Sequence, residues 1–97
     1  MLKQIGLKLT AGNLSSEDVT TAASSLSDSL SNLRASGQIS NDAYLEAGVI
    51  QGGLSTLSNL IKQGVEQHEV ELHISNLVTR AQHICEIHTD LKNYLLY

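Results

Sequence analysis

The chain has no proline, tryptophan or phenylalanine, and only one cysteine among its 97 residues. The missing prolines remove the strongest helix breaker. The missing large aromatics mean that core volume must come from Leu, Ile, Val and Ala, which pack well between closely spaced helices; the only aromatics are three tyrosines. A lone Cys85 excludes an intramolecular disulfide and fits a reducing compartment. No apolar run approaches the ~20 residues that a membrane-spanning helix requires. The N-terminal stretch is interrupted by Lys8 before a signal-type apolar segment forms. A cytoplasmic location with no membrane contact is the expectation.

Charge is sparse as well. Charged residues make up 16% of the chain, ten acidic and six basic, for a formal net charge of −4. Lys3 and Lys8 fall within the first ten residues, which leaves Arg34, Lys62, Arg80 and Lys92 against all ten acids. Phosphate-backbone binding needs clustered Lys and Arg, so direct contact with nucleic acid is not expected. A chain this short is expected to form one domain over 1–97 with a modest core, for which self-association is a common supplement.

What the chain does have is an unbroken apolar seam. Between residues 16 and 36, Val19, Ala23, Leu26, Leu30 and Leu33 are spaced 4, 3, 4 and 3 apart. That alternation keeps one helical stripe facing a partner helix. Ser15 or Ser16 is suited to cap the start, Glu17 and Asp18 complement the helix dipole, and Gly37 is suited to end it. The rest of this helix is mostly Ser and Thr, a face either solvated or packed against small side chains.

A second helix is predicted over 41–63, with Ser40 as N-cap and Ala43, Ala47, Ile50, Leu54, Leu57 and Ile61 as its stripe. Gly48, Gly52 and Gly53 lie beside that stripe. Each costs roughly 1 kcal/mol in a helix interior relative to alanine, which implies either a close helix crossing or local fraying. A third helix is predicted over 66–96, carrying Val70, Ile74, Leu77, Ala81, Ile84, His88, Leu91 and Leu95, widened by Val78 and Cys85. Continuing the second stripe would place Gly64, His68 and Glu71 in the seam, so a turn or kink is expected near Gly64. Residues 1–13 fit a short helix or an extended arm, ended by Gly12 and Asn13.

These segments predict an all-α, up-down-up three-helix bundle with coiled-coil-type packing and a short N-terminal fourth helix or arm. At ~1.5 Å per residue the helices measure roughly 30, 35 and 45 Å. The third therefore outreaches the others, and Leu91, Tyr94, Leu95, Leu96 and Tyr97 are expected to project as a partner-binding end.

Two side chains suggest chemistry. His88 is the one polar residue in the seam, a position that often sets register or oligomeric state and that suits a pH-sensitive role. The alternative is a core histidine satisfied by a carbonyl or hydroxyl. Cys85 and His88 lie three apart on one helical face, a spacing compatible with a metal or an activated thiol. No paired C-x-x-C or H-x-x-x-H supports them, so no metal, cofactor or catalytic residue is assigned. The sequence is read as a non-enzymatic protein–protein interaction module, an adaptor, chaperone or inhibitor, that binds another protein through helix faces and self-associates as a homo-oligomer. A small phage- or plasmid-type regulator that inhibits a larger host enzyme is the alternative among binding proteins. A metal or thiol protein centred on Cys85 and His88 is the alternative from another class.

Overall fold

The computed structural model describes residues 1–97, whose regular elements are all helical, with no strand. The helices are α1 (Leu2–Thr10), α2 (Ser16–Ala35), α3 (Asn41–Lys62), α4 (Gln67–Ile87) and α5 (Lys92–Leu95). A single 3-10 turn, Thr89–Leu91, joins the last two. No helix is long and apolar enough to cross a membrane.

Local chemistry sets the starts of α2 and α3 and the ends of α1, α2 and α3. At the start of α2, the Ser15 hydroxyl accepts from the Asp18 amide at 3.1 Å, and the Asp18 carboxylate accepts from the Ser15 amide at 3.0 Å. This reciprocal pair satisfies two donors that a helix start otherwise leaves open. Ser40 caps α3 by accepting from the Ala43 amide. At the far ends, Gly12, Gly37 and Gly64 all adopt positive φ of 75–78°. The residue after each donates back across the last turn: Asn13 to Lys8, Gln38 to Leu33, and Val65 to Leu60. A left-handed glycine satisfies the last carbonyls without a Cβ clash. The phase shift in the seam near Gly64 is therefore a full turn, not a kink.

The seam residues form the core. Val19, Ala23, Leu26, Leu30 and Leu33 of α2, Ala43, Ala47, Ile50, Leu54 and Leu57 of α3, and Val70, Ile74, Leu77, Ala81 and Ile84 of α4 are all buried. Contacts between their flanks set the directions. Thr20 meets Ser58, and Arg34 lies over the Tyr44 ring, so α2 and α3 run antiparallel. His73 meets Gly53 and His88 meets Glu46, so α3 and α4 do too.

The 66–96 helix expected from the seam is not formed. α4 stops at Ile87, and His88, at φ −114° and ψ 78°, turns the chain back. A straight helix to residue 96 would run to ~45 Å, longer than the 40 Å long axis of the whole molecule. Its last turns would hold Leu91 and Leu95 in water. Reversal buries both completely, and each fully buried leucine side chain contributes about 1.5–3 kcal/mol. The expectation of a projecting apolar end is thereby corrected.

The returning tail meets α1 in the middle of the molecule. The Lys3 amide donates to the Leu96 carbonyl at 3.0 Å, and Gln4 Nε2 donates to the Tyr97 carbonyl at 2.8 Å. Met1 faces Ala22, Ser25 and Leu26 of α2 together with Asn93 and Tyr94. At its other end, Leu9 lies with Ile61, Val65 and Val70 around the α3–α4 turn. Residues 1–10 are thus a helix, with Leu2 and Ile5 buried. Helix α1 and the tail, set end to end, cover the open side of α2 and α4.

Two outcomes follow from these contacts. Leu91→Ala will cost about 2–4 kcal/mol in urea unfolding, whereas a projecting residue 91 would leave the midpoint unchanged. The Asp18 carboxyl, held by Lys8 Nζ at 2.9 Å and then by Ser15, is lowered from 3.8 to about 2. Its folded value lies below its unfolded one, so its stabilising contribution is present above 3.8 and is lost as pH falls through about 2. An NMR pH titration of Asp18 will show this low midpoint, and Lys8→Ala will move it back towards 3.8.

Candidate interaction surface

The residues expected to bind a partner do not form a common surface. Leu91 and Leu95 are core residues, Leu96 is partly covered against the core, and only Tyr94 and Tyr97 keep substantial exposure. The physical reason is the reversal at His88, which gives the apolar side of the tail an intramolecular partner.

His88 is not a seam residue either. It is the residue at which α4 ends, and its Nε2 lies 3.1 Å from the Glu46 carboxylate of α3. Its ring is mostly covered while Glu46 is half exposed. The contact ties the reversal point of the chain to the first turns of α3. Cys85 is buried in the core, and this burial pushes its thiol pKa up from 9.0, against a smaller lowering by Lys92. A raised thiol is a poor nucleophile and a poor metal ligand at neutral pH. With His88 directed at Glu46, the two side chains do not combine into one site, and no three His, Cys, Asp or Glu side chains converge anywhere.

Two polar arrangements lie outside the sequence-derived list. Ser58, the one buried polar side chain, donates to the Ser16 carbonyl at 3.1 Å and pairs with the Thr20 hydroxyl at 2.8 Å. Part of the Ser/Thr face of α2 is therefore used for packing on α3. The signal for Ser58 was present, since it follows Leu57 on the core side of α3. His73 reaches across from α4, its Nε2 2.9 Å from the Gly53 carbonyl.

At Gly53, α3 packs directly against Leu77 of α4. A Cβ built there would overlap Leu77 Cδ2, while one at Gly48 or Gly52 would meet nothing. Of the three glycines, one serves the crossing and two face outward without an intramolecular role.

Beside this crossing runs a polar groove of about 510 Å³, lined by Val49 and Gly53 of α3 and by His73, Asn76, Leu77, Thr79, Arg80 and His83 of α4. No carboxylate lines it. Arg80 takes part in neither of the two ion pairs of the molecule, Lys8–Asp18 and Glu46–His88. At one end of the groove lie large apolar side chains in solvent. Leu45 is 60% exposed, Val49 45% and Ile87 71%. Leu45 and Val49 stand one turn apart on α3, and Ile87 stands one turn beyond His83 on α4. The Glu46–His88 contact places Leu45 and Ile87 at the same end of the helix pair.

Comparison with protein-family models, curated proteins and solved structures gives no match for the chain.

The glycines separate by experiment. Gly48→Ala and Gly52→Ala will each raise stability by about 0.5–1 kcal/mol in chemical denaturation, because they gain helix propensity and meet no neighbour. Gly53→Ala will lower it by about 1 kcal/mol, because overpacking against Leu77 outweighs the same gain.

Proposed function

We propose that this chain is a non-enzymatic protein-interaction module that holds another protein against the exposed face of α3 and α4. The observation that carries the reading is exposed Val49 on the wall of the α3–α4 groove, with exposed Leu45 one turn before it and exposed Ile87 at the same end of the helix pair. Single exposed apolar residues need no explanation, but several at one end of a helix pair beside a groove mark a contact site. The roles consistent with this are those of an adaptor, a chaperone or a small inhibitor. They require no reacting groups, only a shaped surface.

This reading moves the contact from the C-terminal turns to α3 and α4. It also favours a different protein over a second copy. A two-fold pairing centred on the groove would bring Arg80 against its own symmetry mate, and closed dimers are built from self-complementary patches.

Photo-crosslinking in the native host tests the reading. A photoreactive residue at position 49 or 87 is expected to yield one discrete protein adduct. The same residue at exposed Thr21 or Ser31 on α2 is expected to yield none. Leu45→Ser with Val49→Ser, both at exposed positions, will leave the circular dichroism unchanged and abolish the adduct. Equal labelling from α2, or an adduct indifferent to the double substitution, would sink the proposal.

A further inference from the structure

We infer that the groove between α3 and α4 takes an acidic amphipathic helix of another protein, with its carboxylates on Arg80 and its apolar stripe on Leu45, Val49 and Ile87. This rests on the interaction reading above and names the chemistry of the partner.

The charge of the groove carries the inference. The chain as a whole is acidic, with a net charge of −4. Yet the polar side chains that α4 sends into the groove, His73, Asn76, Thr79, Arg80 and His83, all carry hydrogen-bond donors, and none is a carboxylate. The acids close to it in sequence stand outside its lining: Glu46 is engaged by His88, Glu69 lies one turn before His73, and Glu86 lies three residues after His83. Arg80 is a permanent cation with a planar fork of donors that fits a carboxylate in two parallel hydrogen bonds. In this structure it has no such partner. His73 already meets the Gly53 carbonyl, but an apolar ligand alone would leave Arg80 unpaired on binding, and unpaired donors oppose association. A carboxylate supplies the missing acceptors.

The shape argues for a helix. Two antiparallel helices present a long shallow channel into which a third helix packs at an interaxial distance of about 8–10 Å. Gly48 and Gly52 face outward on α3 with nothing near the place a Cβ would occupy. Each lowers helix stability by roughly 1 kcal/mol and has no partner within the chain. Neither lines the groove itself; they leave the outer surface of α3 before and after Val49 without side chains. An incoming helix with apolar residues at i, i+3, i+4 and i+7 would meet Leu45, Val49 and Ile87 along one stripe, with acidic positions beside the stripe facing Arg80.

The test uses the full chain and a synthetic amphipathic helical peptide with leucines on one stripe and glutamates beside it. Two companions replace the glutamates by glutamine and by lysine. Amide shifts in a ¹⁵N NMR titration are expected to move along α3 and α4, at Val49, Gly52, Asn76, Arg80 and His83, with the glutamate peptide, at higher concentration with the glutamine peptide, and not with the lysine peptide. Fluorescence anisotropy should give about tenfold weaker binding for Arg80→Gln and a larger loss for Arg80→Glu, as expected for loss of a charged hydrogen bond. Arg80 is exposed, so both variants should keep the parent circular dichroism. Raising salt should weaken the glutamate peptide and not the glutamine one. Binding that responds to Leu45→Ser with Val49→Ser but not to Arg80→Glu overturns the acidic partner while leaving the interaction face standing. Binding that responds to neither overturns both. Shifts that map to α2, or equal binding of all three peptides, also overturn the inference. So does a mass that rises with concentration in sedimentation and falls in Arg80→Glu, which would make a second copy the occupant.

Discussion

The structure depends most on the reversal at His88. The C-terminal ends of α1, α2 and α3 are each set by a local glycine, but α4 ends because of what lies beyond it. If the helix continued, Leu91 and Leu95 would pass the ends of α2 and α3 and stay in water. By turning at His88 the chain buries both completely and brings Leu96 and Tyr97 to the first turn of α1. The Glu46–His88 contact, at 3.1 Å, holds the turn against α3. The apolar seam is thereby used up inside the molecule, and the covered side of α2 and α4 is completed by two short pieces from opposite ends of the chain.

That closure relocates the exposed apolar surface. The seam residues are satisfied internally, and the large apolar side chains left in solvent include Leu45, Val49 and Ile87 towards the Glu46–His88 end of the α3–α4 pair. The crossing owes its closeness to Gly53, where a side chain would strike Leu77. Close backbones let His73 reach the Gly53 carbonyl, and they set the depth of the groove that contains Arg80. Packing and surface chemistry are thus two consequences of one contact. The same glycine that allows the helices to approach shapes the surface on which another protein is proposed to sit.

Much of the fold was legible residue by residue. The 4, 3, 4, 3 spacings identified α2 and α3 to within a residue, and the phase shift near Gly64 located the turn before α4. The close crossing expected of the glycines in α3 is made by Gly53 alone. Less of the surface was legible. The C-terminal residues were read as a projecting partner-binding end because Leu91 and Leu95 continue the spacing of α4, and spacing cannot distinguish a helix that continues from one that stops and folds back. His73 and Arg80 carry no periodic signal of their own, and the partners of Ser58 and His73 lie 38 and 20 positions away in the chain.

The sequence by itself determined that this protein is helical, which faces of α2, α3 and α4 are buried, and where α1, α2 and α3 end. Those properties depend on neighbours within a few positions: an apolar residue every three or four, a serine before a helix, a glycine after one. Only the tertiary structure decided where α4 ends, what covers Leu91 and Leu95, and which apolar side chains remain in water. These are differences in burial between distant segments. A leucine has the same local preferences whether it projects or is covered, and only the packed chain decides between the two.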